Sequence, residues 1–219
     1  RKTLGVYEYA LNPQEFWDLH YANTLYNSPA IFVYNSPQGK ASLANHMAPV
    51  ALPNEPTLKP LVDEITQDAI TKEQKIQSLL DFVTNEVAYE SHGKFEIFMK
   101  PHETLLSGRS DCSGKVVLFA SLLEQIEEPY LLVYTPGHIS VGVQGDFLTG
   151  NMMNFEHEGD RYFIAETTVE GFKVGETWLV DPLTEDQFIF LQAPGFQSKV
   201  YDIAKGDSFQ FLTLQVEVE

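Results

Sequence analysis

One cysteine, Cys112, stands in a chain of 219 residues. No intrachain disulfide can form, so a disulfide-stapled fold is excluded and cysteine usage leaves the compartment open. Basic residues are scarce as well: 14 Lys and Arg face 31 Asp and Glu, for a formal charge of −17. No basic run occurs. A nucleic-acid partner needs clustered cations against its phosphates, so that class is excluded. Contact with an anionic membrane surface is disfavoured for the same reason. Long apolar runs are also missing. The most apolar stretch, Val116–Leu123, is far shorter than the roughly 20 residues that cross a bilayer. The charge is read as serving solubility. A hydrophobic share of 43% with 15 Phe and 10 Tyr supplies a substantial core, which argues against disorder. The length fits one domain, with room for an extra lobe.

The chain opens R-K-T-L, with neither an initiator Met nor a signal peptide. It reads as a fragment or a processed form, a start compatible with a preceding signal or anchor. The localisation is unassigned, and an extracytoplasmic one is compatible with such a start.

The stretch Glu103–Glu124 organises the rest: E-T-L-L-S-G-R-S-D-C-S-G-K-V-V-L-F-A-S-L-L-E. A polar turn, Ser107–Asp111, leads into Val116–Leu123. Val116, Phe119, Ala120 and Leu123 recur at helical spacing, and Val117, Leu118 and Leu122 add apolar residues off that face. The spacing predicts a helix buried on most sides, capped by Ser110 or Asp111. Cys112 then falls in the first turn, where free N–H groups and the helix dipole favour an anion. A lone thiol is more often a small buried apolar residue. A functional reading therefore needs a base and an acid from elsewhere in the chain.

Before this stretch, Gln14–Leu25 reads as a short helix and Ala30–Tyr34 as a strand. Ala41–Pro56 has no clear period and is expected to be a linker or surface loop, with His46 and Met47 at mobile positions. Helices are expected over Leu58–Ile70 and Thr71–Val87. Thr71 caps the second, and Ile76, Leu79, Leu80, Phe82, Val83 and Val87 form its core stripe. Phe95–Met99 is a short apolar piece. Lys100–Glu103 leads into the central stretch, with His102 read as a surface or structural histidine. After the central helix the period changes to two. Pro129–Tyr134 and His138–Val143 are strands around a Thr135-Pro136-Gly137 break, and Tyr162–Thr168 is a third. Gly145–Gly159 reads as a polar loop. Beyond it, Phe188–Leu191 is apolar and Phe209–Glu217 alternates, which makes the C-terminal part β-rich.

His138 opens its strand, and Glu166 is a carboxylate inside an apolar β run, where a charge needs a partner. Each alone reads as an ordinary structural residue. Together with Cys112 they have the parts of a nucleophile, a base and an orienting acid.

The chain here resembles the transglutaminase-like superfamily, a branch of the papain-like cysteine hydrolases. The residues that carry the resemblance are the two helices over 58–87 ending in E-V-A-Y-E, then H-E-T-L-L-S-G-R-S-D-C-S-G-K, G-H-I-S-V-G-V and Y-F-I-A-E-T-T, in the family's order. The resemblance implies an α+β fold: a papain-like core with the nucleophile helix packed on an antiparallel sheet, over 57–186. Residues 1–56 would be an N-terminal extension or accessory segment, and 187–219 would complete the core or form a small lobe. It implies Cys112 as nucleophile, His138 as general base and Glu166 as orienting acid. The family more often has Asp in the third place, and Trp178-Leu179-Val180-Asp181-Pro182 makes Asp181 the alternative acid. The Cys112 N–H is the natural oxyanion donor, with a second donor expected from the region of Tyr89 or His102. The implied activity is amide hydrolysis or acyl transfer on a peptide or protein substrate, with an amine as possible acceptor. No cofactor is expected. No metal is expected either, because the six His show no pair at ligand spacing. The competing reading is a non-catalytic binding or scaffold module of the same fold.

Overall fold

The structure, a computed structural model, describes residues 1–22, 31–36, 39–91, 99–135, 137–147, 153–177, 189–192 and 200–202. The chain starts with a small hairpin of β1 (Lys2–Leu4) and β2 (Tyr7–Tyr9). Helix α1 (Pro13–Tyr21) follows, begun by a full capping box in which Asn12 and Glu15 exchange bonds. A second hairpin pairs β3 (Ile31–Ser36) with β4 (Gly39–Ala44). Then come α2 (Lys59–Thr66), α3 (Lys72–Glu86), β5 (Ala88–Tyr89), α4 (Pro101–Ser107), β6 (Arg109–Ser110) and α5 (Cys112–Glu124). The rest is β: β7 (Tyr130–Thr135), β8 (His138–Gln144), β9 (Asn154–His157), β10 (Asp160–Ala165), β11 (Ile189–Gln192) and β12 (Val200–Asp202).

The architecture is α+β. The main sheet has the order β12-β11-β7-β8-β10-β9, with every described pairing antiparallel. Side-chain alternation sorts it into two faces. Leu132, Tyr134, Ile139, Val141, Val143, Phe163 and Ala165 join the main core with α5. Leu131, Val133, Tyr162 and Ile164 form a smaller cluster with Met153 and Phe155. Both faces are covered, so β7 reads as a continuous apolar run and not as an alternation. Helix α5 packs on β7 and β8, and α3 packs against α5. Val116–Leu123 is buried all round, as its lack of a polar face requires. Each fully buried Leu, Val or Phe there contributes about 1.5–3 kcal/mol. Among the described residues no helix is long and apolar enough to cross a membrane.

Several expectations need correction. The helix over Leu58–Ile70 ends at Thr66, and Ile70 is exposed as the residue before the Thr71 cap. The segment after β4 is no surface loop. Asn45, His46, Met47, Val50 and Ala51 are buried, and the three apolar ones, Met47, Val50 and Ala51, belong to the core that also holds Leu4 and Tyr9. Lys100–Glu103 is the start of α4, with Pro101 at its first position, the Glu103 carboxylate accepting from the Lys100 N–H (2.8 Å), and Gly108 closing it at φ 70°. Part of the expected loop 145–159 is strand β9, and β10 stops at Ala165, one residue before Glu166. The short piece over 95–98 and the alternating segment 209–217 lie outside the described residues.

One close approach fixes α5 against its lead-in. A Cβ on Gly114 would lie 1.9 Å from Ser110 Oγ and 3.3 Å from Thr104 Oγ1, so the first turn of α5 meets β6 and α4 only at a glycine. Gly114→Ala is expected to destabilise the fold by about 1–3 kcal/mol through overpacking, despite a helix-propensity gain of about 1 kcal/mol. Adding Ser110→Ala should recover part of the loss. Urea midpoints measure both, and a Gly114→Ala protein as stable as the parent would contradict this packing.

Candidate functional site

Asp111, extended at φ −80° and ψ −171°, is the residue that caps α5: its carboxylate accepts from Gly114 N–H at 3.1 Å. Cys112 is therefore the first helical residue, partly buried, and its N–H has no acceptor within the helix.

The register of the sheet brings the other two groups together. Strands β8 and β10 pair Val141 with Ala165 and Gln144 with Tyr162. Continued past Ala165, that register makes Glu166 a same-face diagonal neighbour of His138. The contact is made: the imidazole Nε2–H donates to Glu166 Oε2 at 2.7 Å. Glu166 is fully buried, at 0% exposure. Its second oxygen, Oε1, accepts from the Thr168 N–H (3.1 Å) and the Thr168 hydroxyl (2.6 Å). The His138 side chain also hydrogen-bonds the thiol of Cys112. With Nε2 committed to Glu166, Nδ1 is the ring nitrogen left for sulfur.

Electrostatics follow from these contacts. Burial pulls the His138 pKa down, but the hydrogen bonds to Cys112 and Glu166 outweigh it and raise the value to about 9. Burial pushes the Glu166 carboxyl up, and the bonds from His138 and Thr168 bring it below the usual carboxylate value. Tyr89 stands close by. Partial burial and the negative charge of Cys112, Asp111 and Glu166 raise its phenol. One turn along α5, the buried Lys115 ammonium donates to the Val87 carbonyl at 2.6 Å. Burial lowers its pKa to about 8, against the pull of Glu166 and Glu170.

Sequence reasoning put Cys112, His138 and Glu166 on three separate elements, and the structure brings the three side chains together. The alternative acid, Asp181, lies outside the described residues. Of the two regions named for a further donor, Tyr89 is near Cys112, whereas His102 is packed edge-on against Phe16 of α1. His46 was missed. Far from being mobile, its ring links Tyr134 Oη (Nδ1, 2.8 Å) to Ser113 Oγ (Nε2, 3.0 Å). Nδ1 also faces the Ala44 carbonyl, which can only accept, so Nδ1 carries a proton. In the neutral ring Nε2 then accepts from the Ser113 hydroxyl. This chain of bonds holds the residue that follows Cys112. The signal for it was the apolar content of Met47, Val50 and Ala51, which marks the segment as core. No family model, no curated protein and no solved structure matches this chain.

The His138 contacts have a pH signature. Its folded value of about 9 lies above the ordinary 6.5. The stabilisation is therefore complete below about pH 6.5 and is lost as pH rises through about 9. The denaturation midpoint of the parent protein should fall from pH 6 to pH 8, a window below the one in which the depressed Lys115 acts in the opposite sense. The slope should disappear in His138→Ala and shrink in Glu166→Gln. A slope of equal size in His138→Ala would assign it to other groups.

Proposed function

We propose that this chain is a cysteine hydrolase or acyltransferase of the transglutaminase-like kind, acting on an amide bond through Cys112, His138 and Glu166. The observation that carries the reading is one line of contacts, thiol to imidazole to buried carboxylate, at the N-terminus of a buried helix. The α+β architecture with α5 on an antiparallel sheet supports the papain-like core that the resemblance implies.

In this reading Cys112 Sγ attacks, as thiolate, the carbonyl carbon of a peptide or protein amide. The negative charge that develops on the carbonyl oxygen is met by the Cys112 N–H and the positive end of α5. The His138 imidazolium gives its proton to the leaving amine as the C–N bond breaks, and a thioester remains. Water or an acceptor amine then attacks the thioester. His138 takes the proton from that nucleophile, the C–S bond breaks, and the sulfur leaves as thiolate. Glu166 keeps the imidazole turned toward sulfur and offsets its charge. Its two bonds from Thr168 keep the carboxylate oriented and ionised. Water as the second nucleophile makes the enzyme a peptidase or amidase, and an amine makes it an acyltransferase.

Iodoacetamide alkylation of Cys112 tests the pair directly. At pH 7 the parent should react at least roughly tenfold faster than His138→Ala, because an unassisted thiol is only a few per cent thiolate there. On any amide substrate that the parent turns over, His138→Ala should lower kcat/KM by about 100- to 10,000-fold. Cys112→Ala should abolish turnover. Alkylation that is slow and indifferent to His138 would contradict the enzyme and leave the binding module as the reading.

A further inference from the structure

Helix α1 buries none of its residues, yet it is held to the body of the protein at one place. There the Lys100 ammonium donates to the carbonyls of Leu19, His20 and Ala22 at the end of α1. His20 Nδ1 lies 2.9 Å from Glu103 Oε1, and the Phe16 ring stacks on His20 and meets His102 edge-on. So two imidazoles and a carboxylate converge between α1 and α4. One atom from each of His20, His102 and Glu103 lies within 4.8 Å of the others. His102 is 3% exposed, and its Nε2 has no hydrogen-bond partner among the described residues. Such a nitrogen costs free energy unless something binds it.

We propose that His20, His102 and Glu103 form a site for a divalent transition-metal ion, best fitted by Zn2+, that fastens α1 to α4. Two imidazoles and one carboxylate match zinc, whereas calcium and magnesium call for oxygen donors. Tetrahedral zinc holds its ligand atoms roughly 3.3 Å apart. The existing 2.9 Å between His20 and Glu103 is near that value, and the cluster as a whole, within 4.8 Å, contracts around the ion. Glu103 is braced from behind, since its other oxygen caps α4 at the Lys100 N–H. Of the three ligands only His102 borders the neighbouring cavity of about 140 Å3, and His20 and Glu103 are reached from the solvent side. Lys100 opposes a cation electrostatically, but its Nζ is turned to the α1 carbonyls. Water completes the coordination. In sequence, His20 and His102 are too far apart to read as a ligand pair, and the site exists only once α1 docks.

The test is calorimetry with ZnCl2 on the full chain, in excess Mg2+ to occupy the acidic surface. It is run on the parent and on Cys112→Ser, which removes the thiol as a competing ligand. One equivalent should bind both proteins at this site, with Kd on the order of micromolar. Zinc at about 100-fold excess over Kd should raise Tm by on the order of 5 °C. In Cys112→Ser, Co2+ in place of zinc should give the visible bands of a tetrahedral ion. His20→Ala and Glu103→Gln, both on the solvent side of the cluster, should each weaken binding at least tenfold and remove the Tm shift. His102→Ala is not needed for the test, since it opens the core. No bound equivalent in Cys112→Ser would overturn the site, as would binding that survives both His20→Ala and Glu103→Gln.

Discussion

A protonated imidazole is costly to bury, and His138 is mostly buried. What makes it tolerable is that both ring nitrogens meet acceptors: the Glu166 carboxylate on one side and the Cys112 sulfur on the other. Much of the surrounding structure is organised to hold those two acceptors still. Glu166, at 0% exposure, is kept ionised first by His138, and the N–H and hydroxyl of Thr168 supply further donors. Loss of either member of the His138–Glu166 pair leaves a buried charge uncompensated, which for such pairs costs about 3–5 kcal/mol.

The fold supplies the positions. The antiparallel pairing of β8 and β10 ends at Val141 and Ala165, and the chain just beyond it brings Glu166 to His138, although the two are 28 apart in sequence. Cys112 comes from a different layer, the helix that packs on the same sheet. Its place is set by a cap at Asp111, by the glycine at 114 and by the His46 bridge to Ser113. These are short-range steric and hydrogen-bonding devices at the first turn of α5. Apolar burial further along the helix, at Val116–Leu123, anchors it without specifying its end. The division is physically sensible, since non-directional packing fixes where the helix lies and directional bonds fix where its first residue points.

Much of this was legible in the chain. Helix α3 was readable because Thr71 and Gln74 form the capping box just where the apolar stripe begins. Strands β7 and β8 were readable from period and from the Pro-Gly break, and the face of β8 carrying Ile139, Val141 and Val143 does join the core. The three site residues stood out because each violated its surroundings: a thiol after a polar turn, a histidine opening a strand, a carboxylate in an apolar run. What was missed depends on tertiary contact. The segment at His46 has no period, because it is neither helix nor strand, and only its docking on Tyr134 and Ser113 gives it order. Helix α4 was hidden by its seven-residue length, too short for a period to show, although Pro101, Glu103 and Gly108 all mark it. His102, read as a surface or structural histidine, is buried and packed edge-on against Phe16, a contact with a helix 80 residues earlier of which local sequence says nothing.

The claim on which the rest hangs is the protonation of His138. An NMR titration of its ring, in the parent protein and in Cys112→Ser and Glu166→Gln, measures it without reference to any substrate. The account predicts a midpoint near 9 in the parent, lowered in both variants, since each replaces an ionisable acceptor by a neutral one. A parent midpoint at or below the ordinary histidine value of about 6.5, or one that neither variant moves, would contradict it.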